Sequence, residues 1–115
     1  MKLFIFSNDD YNFSAKIAKI CDLGSDSLDF CDNYKKLNNI KIKDDVLVLV
    51  DYDDVNFDLK ILIGIKKIYN FKCCLIMSKI EKSIHKKAIE IGCDIVITKS
   101  NFLMNYKTIK EQLKF

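Results

Sequence analysis

The chain contains no proline and only three glycines, Gly24, Gly64 and Gly92, so nothing in it marks a linker or a domain boundary. Its single histidine, His85, has no second histidine with which to form a ligand pair, and a solvated surface position beside Lys86 and Lys87 is expected. Five cysteines, Cys21, Cys31, Cys73, Cys74 and Cys93, form an odd set without C-x-x-C spacing, which argues against a zinc site and against a disulfide framework. In a strand, the adjacent Cys73 and Cys74 would face opposite sides and could not chelate one ion together. Buried, reduced thiols are the expected state. No apolar run approaches a membrane span, and the one at residues 3–6 is too short for a signal peptide, so a cytoplasmic location is expected. Nineteen basic against 16 acidic side chains leave a formal charge of +3, without the basic excess of proteins that bind by neutralising phosphates.

What the chain does have is the composition of a folded domain: half of its 115 residues are hydrophobic and 30% are charged. That length suits one compact domain spanning 1–115, with a core that needs no metal or disulfide staple. Five short apolar runs, at residues 3–6, 28–31, 46–50, 73–77 and 95–97, have the length of strands. Between them the apolar residues repeat at helical spacing. Phe13, Ile17, Ile20 and Cys21 precede Gly24, and Ile84, Ala88 and Ile91 precede Gly92, where a helix end favours glycine. A wide apolar helix is expected from Phe57 to Ile68, with Lys60, Lys66 and Lys67 outward. A closing amphipathic helix is expected through Leu103, Tyr106, Ile109 and Leu113, with Lys107, Lys110, Glu111 and Lys114 on its other face. Residues 34–43 hint at one short helix through Tyr34, Leu37 and Ile40.

The run Val46, Leu47, Val48, Leu49, Val50 is apolar on both faces, as a central parallel strand covered by helices must be, whereas Ser27 to Phe30 alternates like an edge strand. Alternating β and α units with right-handed crossovers give an open, doubly wound parallel α/β sheet. In such sheets ligands gather at the carboxyl ends of the strands. Strand one ends in Ser7, Asn8, Asp9 and Asp10; strand three in Asp51, Tyr52, Asp53 and Asp54; strand four in Ser78 and Lys79; strand five in Thr98, Lys99 and Ser100. Acids, a hydroxyl and an ammonium therefore converge on one edge.

The stretch from Ala88 through Gly92, Cys93, Val96 and Ile97 to Lys99 resembles the response-regulator receiver pattern A-x-x-x-G-A-x-D-Y-[LI]-x-K-P. Val48, Leu49, Val50 and Asp51 look like the phosphoacceptor strand, Leu75 to Ser78 like the hydroxyl-bearing fourth strand, and Lys2 to Asp9 like the opening strand with its acidic cluster. The resemblance covers essentially the whole chain. It implies a flavodoxin-like fold with five parallel strands in the order 2-1-3-4-5. It also implies Asp51 as phosphoacceptor, Ser78 and Lys99 as phosphoryl contacts, and Mg²⁺ held near Asn8, Asp9, Asp51 and Asp53. Phosphoryl transfer there would proceed by positioning and electrostatics.

The sequence departs from the family at several of these places. Ser7 and Asn8 stand where the family has two acids, which removes charge from a hard-cation site and lowers the expected Mg²⁺ affinity. The loop after Asp51 lacks the family's proline and D-G pair, Ser100 replaces the proline after the lysine, and Val96 replaces the aromatic switch residue. The chain thus resembles an atypical receiver, with phosphorylation weakened or lost. By this resemblance it is a two-component signalling module rather than an enzyme, and its partner is a histidine kinase or another signalling protein. Contact, including pairing of two copies, would use the fourth helix (84–91), the fifth strand and the fifth, closing helix, with Val96, Lys99 and Tyr106 on or near that face. One alternative is the regulatory half of a DNA-binding response regulator, nucleic acid then being bound only through an output domain outside this chain. A small flavin- or nucleotide-binding protein would need an electropositive phosphate loop after strand one, where this sequence is acidic.

Overall fold

A computed structural model describes residues 1–41 and 43–113; Lys114, expected on the closing helix, lies outside them. Five strands, β1 (Lys2–Phe6), β2 (Ser27–Phe30), β3 (Val46–Asp51), β4 (Lys72–Met77) and β5 (Ile95–Thr98), form one sheet in the order β2-β1-β3-β4-β5. Every pairing is parallel. The helices are α1 (Tyr11–Leu23), α2 (Leu59–Lys66), α3 (Lys82–Ile91), α4 (Lys99–Met104) and α5 (Tyr106–Gln112). Among the described residues no helix is long and apolar enough to cross a membrane.

The two-fold alternation of strand side chains divides the core into two layers. Phe4, Phe6, Val46, Val48, Val50, Cys73, Leu75 and Met77 face α2 and α3, whose Leu62, Ile63 and Ala88 complete that layer. Leu3, Ile5, Leu47, Leu49, Cys74 and Ile76 face the opposite way, against Phe13, Ile17 and Cys21 of α1, Phe102 of α4, and Tyr106 and Ile109 of α5. β3 is buried at all six positions, as its central place in the sheet requires, while β2 at the edge has only Leu28 half-buried and its other three residues exposed. All five thiols are buried and unpaired, with Cys73 and Cys74 in opposite layers.

The short helix expected within residues 34–43 is a 3₁₀-helix, Tyr34–Asn39, opened by Asn33, whose side chain accepts the Lys35 N–H at 3.0 Å. Three local features differ from the sequence expectations. Phe57 precedes α2 and packs edge-on against Phe6, with ring centroids 5.3 Å apart. Lys66 turns back to Asp94 at 2.7 Å rather than projecting outward. The closing helix starts at Lys99 and breaks at Asn105. Its early start follows from Ser100: a proline would disfavour helical backbone at Lys99, whereas here the Thr98 hydroxyl caps the helix by accepting the Asn101 N–H at 3.2 Å. Tyr106 is 6% exposed and lies in the core, in keeping with its place on the apolar face of the closing helix, so it is not part of the outer contact face that was also expected for it.

At the opposite end of the sheet from the acidic loops, Tyr106 donates its hydroxyl to Asp26 Oδ2 at 2.5 Å. Lys110 and the α-ammonium of Met1 approach Asp26 Oδ1 at 2.9 and 3.2 Å. Burial would raise the Asp26 carboxyl, but these donors outweigh it and hold it below the ordinary carboxylate value. Gly24 packs closely beside this cluster, where a Cβ would lie 3.1 Å from Asp26 Oδ2 and press on that carboxylate; the left-handed turn itself falls on Ser25, at φ 57°.

Candidate functional site

Parallel pairing in register brings the ends of β1, β3, β4 and β5 to one rim. Asp51, the last residue of β3, has its side chain 3% exposed, and the Lys99 side chain, at the first position of α4, is 11% exposed. Their charged atoms meet, with Nζ 2.8 Å from Asp51 Oδ2. The same ammonium lies 2.9 Å from Asp10 Oδ2 and 3.3 Å from Asp53 Oδ2. An ammonium has three N–H donors, and three carboxylates surround this one, Asp10 from the turn after β1 and Asp51 and Asp53 from the end of β3 and the turn after it.

Each carboxylate is fixed by further bonds. Asp51 Oδ2 accepts the Ser7 hydroxyl at 2.6 Å, and its Oδ1 accepts the Asp53 N–H at 2.9 Å. Asp10 caps α1 by accepting the Phe13 N–H at 3.0 Å. Asp53 Oδ2 accepts both the N–H and the hydroxyl of Ser78, at 2.9 and 2.7 Å. Asp54, 3% exposed, accepts the Asn8 N–H at 2.8 Å and holds Asn56 through its other oxygen.

The electrostatics follow from these contacts. Burial alone would lower the Lys99 ammonium, but the hydrogen bonds and charges of Asp51 and Asp10 outweigh it and hold the ammonium above the ordinary lysine range. The Phe13 N–H, and after it Lys99, lowers Asp10. Asp53 and Asp54 are pushed up by burial and pulled down further by their donors, Ser78 and Lys99 for the first, Asn8 and Asn56 for the second. All these groups are therefore charged at neutral pH.

A cleft of about 270 Å³ opens over the cluster, lined by Asp9, Asp10, Asp51, Asp53, Asp54, Ser78 and Lys99. Of the residues singled out from the sequence, Asp51, Asp53, Ser78 and Lys99 are brought into contact. Asp9 lines the cleft with its side chain exposed, and Asn8 is exposed and joins the network through its backbone N–H. Sequence reasoning placed Ser7, Asp10 and Asp54 at the strand ends that form this rim but gave none of them a role in the site. A cap signal was available for Asp10, three residues ahead of the first apolar position of α1; Ser7 and Asp54 join through contacts across 44 and 46 residues that leave no local trace.

The Mg²⁺ implied by the family resemblance fits this donor set poorly. Among the described residues no group of three or more His, Cys, Asp or Glu is placed to hold a metal ion. The oxygens nearest the cluster already serve Lys99, Ser7, Ser78 and backbone N–H groups. Mg²⁺ requires near-octahedral oxygen ligation, and Ser7 and Asn8 supply no carboxylate towards it.

Against solved structures, the fold matches a response regulator from Thermotoga maritima with a TM-score of 0.73 at 13% identity, over 96% of this chain and 98% of that one. The chain has the receiver fold. A protein assigned to pilus assembly, cpaE, from Burkholderia thailandensis matches with a TM-score of 0.68 at 12% identity, over 97% of this chain and 99% of its own. A response regulator from Burkholderia pseudomallei, solved with a phosphorylated aspartic acid, a calcium ion and citrate, matches with 0.62 at 12%, over 97% of this chain and 72% of its own. Neither a protein-family model nor a curated protein sequence matches the chain. At these identities the likeness is one of fold, and the chemistry has to be argued from the rim itself.

Proposed function

We propose that this receiver fold serves as a signal-transduction module that works by protein–protein contact, with Asp51 in the phosphoacceptor position and its phosphorylation weakened. One observation carries the reading: a buried carboxylate at the end of the central strand is paired at 2.8 Å with a lysine from the end of the last strand. The Burkholderia pseudomallei relative carries its phosphoryl group on an aspartic acid, which supports assigning that role to an aspartate on this fold. Weakening follows from charge. The cleft already holds five aspartates against one lysine, and a phosphoryl group would add about two negative charges where Ser7 and Asn8 offer no metal-binding carboxylates.

Ser78 in this reading changes partner, leaving Asp53 to donate to a phosphoryl oxygen. A histidine kinase or another signalling protein would read the surface formed by α3, β5 and the closing helices. Ile89 and Ile91 of α3 are 45% and 38% exposed, and every residue of β5 is half-buried, so this side offers apolar surface. The protein is then a binding module and not an enzyme with a substrate of its own.

The test is incubation with acetyl phosphate and Mg²⁺, followed by intact mass measurement and amide spectra. Attack by an Asp51 oxygen on phosphorus breaks the P–O bond to acetate, releases acetate and leaves an acyl phosphate. The expected result is a mass gain of one phosphoryl group on a minority of chains, absent from Asp51→Asn. Complete labelling would overturn the weakening. Absence of any label, with the Asp51 and Lys99 amides unmoved by beryllofluoride, would remove the phosphoacceptor role.

A further inference from the structure

We infer that the Lys99 ammonium stands in the place of a divalent cation, so that the acidic rim is closed by the chain's own charge and takes no metal at Asp51. This rests on the reading of Asp51 as the acceptor position and goes a step beyond it. Three observations carry the inference together.

The first is valence. Nζ has three donors and faces three carboxylate oxygens, at 2.8, 2.9 and 3.3 Å, so its capacity is filled. These are oxygens that an inner-sphere cation at this place would need. The second is the state of those acceptors. Asp51 Oδ2 is shared between Lys99 and Ser7, Asp51 Oδ1 holds the Asp53 N–H, and Asp53 Oδ2 holds Ser78 twice. Admitting a hard ion would mean breaking several charge-assisted bonds at once.

The third is anchorage. Lys99 directly follows β5 and is already the first residue of α4, whose cap is the Thr98 hydroxyl. Its backbone is therefore set by both a strand and a helix, and only the side chain could swing away. That side chain is 11% exposed and passes the Phe13 ring, with Nζ 6.0 Å from the ring centroid, so leaving would also give up a weak cation–π contact. Asp9, exposed at the mouth, stands apart from the bonds given for the cluster and can attract cations only loosely.

The experiment is a titration with Mg²⁺, followed by amide shifts, and with Mn²⁺, followed by paramagnetic broadening, on the full chain and on Lys99→Met. The wild type is expected to show no saturable broadening centred on Asp51 and Asp53 at millimolar metal. Lys99→Met is expected to gain it, with affinity tighter than any wild-type binding by about tenfold or more. Lys99→Gln, which keeps a polar head, provides a second neutral variant should the first not fold. Saturable binding centred on Asp51 in the wild type, as tight as in the neutral variants, would overturn the inference, as would a folded neutral variant that binds no metal. Acetyl phosphate labelling separates this from the broader reading. Label on Asp51 together with wild-type metal binding removes the inference and keeps the receiver role. Metal binding gained only on loss of Lys99, with no label under any condition, keeps the inference and removes the phosphoacceptor role.

Discussion

Replacing Lys99 by methionine would leave three carboxylates facing one another without their shared cation, and the structure sets the size of the penalty. Removing one partner of a buried ion pair costs about 3–5 kcal/mol. Only Asp51 is buried to the same degree as Lys99; the Asp10 and Asp53 side chains are 33% and 39% exposed, and water screens much of what they lose. The low end of the range, about 3 kcal/mol, is therefore expected. With about 4 °C per kcal/mol for a domain of this size, the melting midpoint should fall by roughly 12 °C. Urea denaturation at neutral pH of the wild type, Lys99→Met, Asp51→Asn and the double variant gives the coupling energy. The double variant should recover about 2 kcal/mol relative to Lys99→Met, because the stranded buried charge is gone. A single-variant cost below about 1 kcal/mol, or a coupling within about 0.5 kcal/mol of zero, would refute the placement of these two charges.

The opposite end of the sheet gives an independent check. Tyr106→Phe removes the hydroxyl donor to Asp26 while Lys110 and the amino terminus remain, and should cost about 2 kcal/mol in the same denaturation assay. Acid should act through Asp10, Asp26, Asp53 and Asp54, whose folded values all lie below the ordinary 3.8. Their stabilising contribution is complete above that value and is lost as pH falls through the lower folded values. Melting midpoints should therefore hold level from about pH 7 to 5 and drop below about pH 4. A thiol reagent at neutral pH should modify the cysteines only as fast as the chain opens, since all five are buried and burial pushes Cys31 to about 11. Rapid modification of any one of them in the native state would contradict the packing.

Much of the fold could be read from the chain because parallel sheets write themselves locally. Val46 to Val50 is apolar on both faces, Ser27 to Phe30 alternates, and Phe13, Ile17 and Cys21 share one face of α1. The strand order came with the family resemblance, since periodicity does not say which strands are neighbours. Asp51 and Lys99 were legible for the same reason, through the motif each closes. Asp10 was legible only as one of the acids at that edge, because its bond to Lys99 spans 89 residues and leaves no local signal. Tyr106 was legible as an apolar-face residue through its spacing from Leu103 and Ile109, and was misplaced only in being set on or near the outer contact face as well. The break at Asn105 and the T-shaped packing of Phe102 on Tyr106, 5.8 Å between centroids, exist only in three dimensions.

The meeting of Asp51 and Lys99 can be observed most directly through the lysine ammonium itself. In a proton–nitrogen spectrum selective for lysine side chains, Lys99 should give a signal protected from solvent exchange, with contacts to the β-protons of Asp10, Asp51 and Asp53, and Asp51→Asn should weaken that protection. An ammonium at Lys99 that exchanges as fast as that of the exposed Lys107, without a contact to Asp51, would contradict the account.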